Sequence, residues 1–336
     1  MTAPLADGGG GGRISPPLSA AAPMFIEFHR NMLGDYVRND AFYHALRQVI
    51  RPGMVVADVG AGTGLLSFMA RRLGAAEVYL MDHGPVLDMA EQLAADNGID
   101  GLVFLRDHST AVFDLPPVDL VISETLGNYV YEEHLIENLN DARRFLKPDG
   151  LMIPARASQF IAPVINPRFL NELTLWDQLG FDLNYDRARA MSLNNLYVRS
   201  FTPADIYRGE ASVQCWDQVD LQAAEPPSSI RQAELQWTCD EDVKLYGFAN
   251  WWSSALTDQI NLGTSPWQDD THWEQIYFPV LRPLRIPAGG TLTLKLQSDT
   301  RYEIGSHLRW QCDIHSADGV CIDSQDLDID RGDLPD

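Results

Sequence analysis

Hydrophobic and polar positions divide the chain into two parts that differ in period. Between about residues 54 and 150, short apolar runs alternate with longer amphipathic segments, and glycine or proline closes most of them. Apolar runs of this length are typical of strands buried on both faces, and repeated β-α-β units form parallel sheets covered by helices. We therefore predict an α/β domain with a doubly wound parallel sheet.

The same pattern places the elements of this domain along residues 24–150. A helical repeat of apolar residues covers about residues 24–49 and ends at Arg51-Pro52-Gly53. The predicted strands cover residues 54–59, 77–81, 102–105 and 120–123. The predicted helices cover residues 65–73, 85–97 and 135–145, and Lys147-Pro148-Asp149-Gly150 predicts a turn.

A different pattern begins after about residue 150. Alternating apolar and polar residues, for example at 234–238, 291–296 and 308–314, predict an antiparallel β domain over residues 151–316, built as a barrel or sandwich. Residues 176–207 interrupt it with a more helical and polar composition. The glycine-rich residues 1–23 predict a flexible tail, and the aspartate-rich residues 317–336 predict an acidic tail that frays.

Charge and cysteine content narrow the function classes. The chain has 47 Asp and Glu against 25 Lys and Arg, a formal net charge of −22. This balance argues against nucleic acid as a partner and favours a cationic one. The four cysteines form no CxxC pair, so we expect neither a disulfide framework nor a metal site. With no apolar run of membrane-spanning length and no visible signal peptide, we expect a cytoplasmic protein that does not contact membranes.

The strongest local motif runs from Asp58 through Gly60, Gly62 and Thr63 to Gly64, between a predicted strand and a predicted helix. Glycines there let a ligand approach the backbone, and the helix N-terminus offers free N–H groups. The spacing is G-x-G-x-G, whereas a dinucleotide-binding turn is usually G-x-G-x-x-G, which disfavours a dehydrogenase. An acid just before the first glycine instead favours a cationic or zwitterionic ligand such as S-adenosylmethionine.

A second acid supports a nucleoside cofactor. Asp82 ends the second predicted strand, 18 residues beyond Gly64, where a carboxylate can accept hydrogen bonds from ribose hydroxyls. We include the next residue, His83, among the cofactor-binding candidates. Glycine-rich turns and strand-end aspartates are common in α/β chains. The prediction therefore depends on finding the turn, the acid and the β-α-β frame together.

A third motif brings two glutamates back towards one point. Glu124 ends the fourth predicted strand, and Glu133 follows a short turn through Gly127. Two converging carboxylates form a site for a cation, and the planar fork of a guanidinium fits them best. The alternative is a solvated acidic loop in a chain that is rich in acids.

These motifs together resemble those of the protein arginine methyltransferases, over about residues 25–315. Asp58 to Gly64 looks like the family's cofactor motif, with Asp82 in place of its ribose-binding acid, usually Glu. Ser123 to Glu133 looks like the family's double-Glu loop. Thr271-His272-Trp273 matches the family's Thr-His-Trp loop and follows Leu262 to Pro266, as the family pattern expects.

The resemblance implies a Rossmann-like methyltransferase domain followed by an antiparallel β-barrel domain with a helical dimerisation arm at about residues 176–207. It implies S-adenosylmethionine as cofactor, S-adenosylhomocysteine as product, arginine as substrate and a homodimer as assembly.

The resemblance also assigns roles to individual residues. In the family's N-terminal helix, His29 and Met32 would lie over the cofactor, and Arg38 would hold its methionine carboxylate. Asp35 would pair with His272 as a proton relay, beside the catalytic Glu124 and Glu133. Trp273 would line the substrate site, although packing in the core is an equal alternative.

Departures from the family pattern bear on the substrate. Residues 19–23 lack the expected aromatic motif, and Ala111 stands where an acid would lie near the adenine amino group. Thr125 and Asn128 replace larger or aromatic residues. Arginine supplies 22 of the 25 basic residues, which indicates a GC-rich, bacterial genome. These features favour free L-arginine as the substrate. Arginine in proteins is the alternative, and an inactive scaffold with a methyltransferase fold is a remote one.

Overall fold

The computed structural model describes residues 26–334 of the chain. The predicted tail at residues 1–23 lies outside the described residues. The helices within them are α1 Ile26–Leu33, α2 Tyr36–Val49, α3 Leu65–Arg72, α4 Val86–Asp96, α5 Leu135–Ala142, α6 Arg168–Leu173 and α7 Asp186–Leu193.

The strands are β1 Val55–Val59, β2 Glu77–Met81, β3 Leu102–Leu105, β4 Val118–Ser123, β5 Leu146–Ile153, β6 Arg156–Pro163, β7 Tyr197–Arg199, β8 Gln214–Asp220, β9 Ile230–Thr238, β10 Val243–Leu245, β11 Phe248–Ala255, β12 Asn261–Gly263, β13 Gln275–Phe278, β14 Leu284–Ile286, β15 Thr291–Asp299, β16 His307–His315 and β17 Cys321–Asp328.

The first five strands form a parallel sheet in the order β3-β2-β1-β4-β5. Its central strands are buried almost throughout, which explains their continuous apolar sequences. The predicted doubly wound α/β domain is therefore confirmed. Because parallel strands share one carboxyl edge, the segments after Val59, Met81 and Ser123 lie side by side.

Two predicted elements of this domain differ in detail. The helix predicted over residues 24–49 is divided at Gly34 and Asp35, because the Asp35 carboxylate accepts the Arg38 amide at 2.9 Å and caps α2. The predicted turn Lys147 to Gly150 lies inside β5. Its four residues bulge between two registered pairs with β4, so turn-forming residues distort the strand here without ending it.

The remaining strands pair antiparallel, as predicted. One sheet has the order β7-β13-β11-β6-β8 with β12 also on β11, a second has the order β17-β16-β15-β9, and β10 pairs with β14. Buried apolar residues from the parallel and antiparallel parts form one continuous cluster. The two parts therefore pack against each other through a shared core.

The prediction that residues 317–336 fray is wrong for most of this segment. Strand β17 pairs with β16 over its whole length, and its Gln325 and Leu327 point into the protein. On the other face, the Asp326 carboxylate accepts hydrogen bonds from Arg309 and Arg331, at 3.0 Å and 2.7 Å. Alternation of buried residues with paired aspartates makes a stable edge strand out of an acidic sequence.

The segment between β6 and β8 contains α6, which precedes the predicted arm at residues 176–207, and α7 and β7, which lie within it. Several large apolar side chains are exposed there, namely Leu175, Leu179, Phe181 and Leu183, and Phe181 is 91% exposed. Among residues 26–334, every helix is too short or too polar to cross a membrane.

Candidate active site

The glycine turn after β1 forms the first wall of the site. Gly60, Gly62 and Gly64 have φ values of 75°, 54° and 82°, a region that side-chain-bearing residues rarely adopt. The Gly60 amide donates to the Met81 carbonyl at 2.9 Å, which ties the turn to β2. A side chain on Gly60 would come within 2.9 Å of Thr125, so the turn also lies directly against the loop after β4.

The acid that opens the motif faces inward. Asp58 is buried, and its carboxylate accepts the Ser67 hydroxyl of α3 at 2.6 Å. Burial raises the pKa of Asp58 to about 6, although the Ser67 hydrogen bond acts in the other direction. Thr63 is also buried in the turn. Asp58 thus stabilises the turn by bonding its start to α3.

Asp82 and His29 lie on either side of the turn. The two oxygens of Asp82 accept the amides of Gly62 and Gly84 at 3.0 Å and 2.8 Å. A Cβ on Gly62 would sit 3.6 Å from the His29 ring, so this ring covers the glycine. The His29 Nε2 atom is buried without a hydrogen-bond partner among the described residues. A buried polar atom above a bare glycine backbone fits a site for a bound nucleoside cofactor. His83 follows Asp82 directly.

Arg38 and Glu124 form a buried ion pair. The Arg38 Nε donates to Glu124 Oε2 at 2.8 Å, and Nη2 contacts the same oxygen. The side chains are only 8% and 6% exposed. The other oxygen of Glu124 accepts the Leu126 amide at 3.3 Å, which fixes the carboxylate. The structure thus joins Arg38, predicted to bind the cofactor, to Glu124, predicted to bind the substrate.

Glu133 is the second predicted glutamate. Glu133 is exposed to solvent, although many protein atoms surround its carboxylate. Burial within the protein, and then the charges of Glu124 and Glu132, raise the pKa of Glu133 to about 8, against an opposing effect of Arg38. The loop therefore brings the two glutamates into electrostatic contact, as the sequence predicts.

The predicted contact between Asp35 and His272 is present. One oxygen of Asp35 accepts the His272 amide at 2.7 Å and lies 2.8 Å from its Nδ1, while the other caps α2 at Arg38. Burial acts to raise the pKa of Asp35, but the hydrogen bonds from His272 and Arg38 outweigh it and lower the pKa. Met32 is half-buried on α1, one helical turn before Asp35.

Two tryptophans hold the loop between the glutamates. Trp273 is 5% exposed, and its indole donates to the Leu126 carbonyl at 2.6 Å. The structure thus packs Trp273 in the core against the loop, in line with the alternative interpretation of this residue, and its contact with substrate stays a prediction. Trp252 on β11 donates to the Gly127 carbonyl at 2.9 Å. Trp252 is not among the predicted site residues, because a tryptophan in an apolar strand gives no sequence signal of such a contact.

A possible metal-binding group lies apart from these residues. In the part of the chain that the structure describes, His307, Asp328 and Asp330 bring three ligand atoms within 4.8 Å of one another. His307 Nε2 lies 2.8 Å from a carboxylate oxygen of Asp328, within hydrogen-bond distance. None of its members touches the glycine turn or the two glutamates.

Two family models match this chain. Residues 155–313 match an arginine methyltransferase oligomerization subdomain, and residues 56–150 match a methyltransferase domain. Protein arginine N-methyltransferase 6 of Xenopus laevis is 26% identical over 84% of this chain and 90% of its own length. Histone-arginine methyltransferase CARMER of Anopheles gambiae is 27% identical over 81% of this chain but 46% of its own length.

Solved structures share the fold. A heterotetrameric enzyme–prozyme complex of PRMT1 from Trypanosoma brucei, with AdoHcy, gives a TM-score of 0.78 at 21% identity and covers 91% of this chain and 98% of its own. Protein arginine methyltransferase 10 of Arabidopsis thaliana gives a TM-score of 0.75 at 23% identity with the same coverage. The two matched models, the glycine turn and the paired glutamates agree. The chain belongs to the protein arginine methyltransferase family of class I S-adenosylmethionine-dependent enzymes.

Proposed function

We propose that this protein methylates a terminal guanidinium nitrogen of arginine residues in proteins, with S-adenosylhomocysteine as the second product. The observation that carries the proposal is the pair Glu124 and Glu133 at the carboxyl edge of the sheet, beside the glycine turn. Two carboxylates hold a guanidinium in one plane and leave one nitrogen facing the cofactor. Orientation of this kind supplies much of the rate of a displacement reaction.

When bound, S-adenosylmethionine supplies a methyl group on a positively charged sulfur. We assign its binding to the glycine turn, Asp82, His83, His29 and Met32, with Arg38 for the carboxylate. We assign removal of the substrate proton to His272. Because Nδ1 of this ring faces the Asp35 carboxylate, the tautomer with the proton on Nδ1 is favoured and Nε2 is free to accept a proton.

The sequence alone favours free L-arginine, but the comparisons support arginine in proteins better. The relatives are named for protein or histone arginine. A free amino acid would also need a cation for its α-carboxylate. Arg38, which bonds to Glu124, is already assigned to the carboxylate of the cofactor, so it does not supply that cation. We therefore propose arginine in proteins as the substrate, and free arginine is tested beside it as the alternative.

The proposal is tested by incubating the purified full chain and S-adenosylmethionine with a Gly/Arg-rich protein, with a histone mixture and with free L-arginine. Mass spectrometry reports the gain of methyl groups. We expect methylation of at least one protein substrate and none of free arginine under matched conditions. Methylation of free arginine alone would transfer the assignment to the amino acid. No methylation by a protein that binds S-adenosylmethionine would favour an inactive scaffold.

We further propose a homodimer formed through the arm, where Phe181 and its apolar neighbours are exposed. Phe181→Asp is expected to shift the protein from dimer to monomer at micromolar concentration, because a carboxylate opposes burial of this surface. Light scattering measures the change. Val320→Asp, at an exposed position outside the arm, is the matched control and should remain dimeric. A monomeric wild-type protein would refute the proposal.

A cytoplasmic location and a bacterial source remain predictions from composition. The relatives described above come from a frog, a mosquito, a trypanosome and a plant. The expected lack of nucleic-acid and membrane partners likewise follows only from the acidic charge and the absence of a long apolar run.

A further inference from the structure

The loop between the two glutamates carries a third one, Glu132, to which the family resemblance assigns no role. We infer that Glu132 is a positioning residue whose carboxylate clasps the start of this loop and fixes Glu133 relative to Glu124. The inference rests on the proposed function, since it explains how the guanidinium site is held in shape.

The clasp closes a tight turn of the chain, in which Glu132 bonds back to Asn128 and Tyr129. Glu132 Oε1 accepts the Asn128 amide at 2.9 Å, and the Glu132 amide donates to the Tyr129 carbonyl at 2.8 Å. The side chain thus bonds to the backbone four residues earlier. Because Glu133 is the next residue, this anchor restricts the position of the Glu133 backbone.

Gly127 makes room for the clasp. A Cβ at Gly127 would overlap the Cγ of Glu132 and lie 2.6 Å from its Cδ and Oε1. Gly127 is outside the left-handed region, so its backbone is open to any residue and only the space is restrictive. The requirement for glycine here therefore comes from the Glu132 side chain.

The antiparallel part of the protein holds the same segment from the opposite side. Trp273 and Trp252 donate to the carbonyls of Leu126 and Gly127, and the Glu274 amide donates to the Asn128 side chain at 3.3 Å. Glu124 in turn is bonded to the Leu126 amide. Glu132 thus connects Glu133 to a segment that is fixed relative to Glu124.

The charge of Glu132 has a second effect on Glu133. Burial is the largest cause of the raised pKa of Glu133, followed by the Glu124 and Glu132 charges, while Arg38 acts in the opposite direction. A guanidinium binds the ionised carboxylate, so kcat/KM should rise as pH increases towards about 8, the pKa of Glu133. Removal of the Glu132 charge lowers this pKa and moves the rise to lower pH.

Two substitutions separate the clasp from the charge. Glu132→Gln keeps an oxygen that accepts the Asn128 amide, so we expect kcat at high pH to stay within about threefold of wild type and the pH profile to move to lower pH. Glu132→Ala loses the clasp, and kcat should fall about 10- to 100-fold with an unchanged dissociation constant for S-adenosylmethionine. Glu225→Ala, an exposed glutamate without hydrogen bonds among the described residues, is the matched control.

A double-mutant cycle with Gly127 tests the geometry without using activity. Gly127→Ala should displace the Glu132 side chain and lower the melting temperature. In the Glu132→Ala background the same change should cost much less, because the overlapping atoms are gone. If Gly127→Ala lowered the melting temperature equally in both backgrounds, the inference that Glu132 forms the clasp would be overturned.

The outcomes also distinguish this inference from the proposed function. Failure of the wild-type protein to methylate any arginine would refute the proposed function, while the melting-temperature cycle would still test the clasp. An active wild-type protein whose Glu132→Ala variant matches Glu225→Ala in kcat would overturn the inference. So would a Glu132→Gln variant that is as impaired as Glu132→Ala and has an unmoved pH profile.

Discussion

Replacing Glu133 with glutamine is expected to lower kcat for an arginine substrate by about 10³-fold, with less than about a threefold change in the dissociation constant for S-adenosylmethionine. The amide cannot attract the guanidinium charge, and it directs N–H donors at a group that itself only donates. Among residues 26–334, Glu133 forms no ion pair with a cationic side chain, so this substitution removes no partner from a buried cation there. Single-turnover kinetics and calorimetry separate the two quantities.

Glu124→Gln should impair turnover to a similar extent. Glu225→Gln, at an exposed position far from the loop in sequence, is the matched control for loss of one negative charge. Near-normal turnover by either the Glu133 or the Glu124 variant would contradict the mechanism with two carboxylates.

Arg38→Met is expected to lower the free energy of unfolding of the cofactor-free protein by about 3–5 kcal/mol. The reason is that Glu124 would remain buried, at 6% exposure, after losing the cation that bonds to it. Chemical denaturation followed by tryptophan fluorescence measures the change.

The double variant Arg38→Met with Glu124→Gln should recover most of this loss, because neither charge then remains buried alone. Arg30→Met breaks an exposed ion pair with Glu27 and serves as the control, with a cost of at most about 1 kcal/mol. A double variant as unstable as Arg38→Met would show that packing around Arg38, and not its charge, is what stabilises the protein.

Much of the site could be predicted from the sequence because it lies at one sheet edge. Strand-end positions after β1, β2 and β4 converge in a parallel sheet, so Gly60, Asp82 and Glu124 were placed correctly by local pattern alone. The Asp35–His272 contact joins residues 237 positions apart. It could be predicted only from the resemblance, since nothing local links α2 to a loop of the antiparallel part.

Other features depend on tertiary contacts that leave no periodic signal. Asp35 ends one helix and begins the next because its side chain meets the Arg38 amide, whereas the apolar repeat alone continues through it. Strand β17 was mistaken for a frayed tail because its aspartates outweigh its apolar residues. The arginines that pair with Asp326 come from another strand and from beyond the end of β17.

Thr125 and Asn128 are two of the features that favour free arginine in the sequence, together with the missing aromatic motif and the arginine-rich composition. The structure explains the identity of both residues by their contacts within the protein. Thr125 lies against Gly60 of the glycine turn, and Asn128 is bonded to Glu132 through its amide and to Glu274 through its side chain. Small or polar residues at these positions therefore fit the packing of the loop, which explains them without reference to substrate size.

The attachment of the double-Glu loop to Trp252 and Trp273 has a consequence for protein engineering and for evolution of the family. A chimaera that exchanged the antiparallel part at the connection between β5 and β6 would place new side chains behind an unchanged loop. We expect such a chimaera to keep the glycine turn but to change the positions of Glu124 and Glu133. The loop should therefore be exchanged together with the strands behind it.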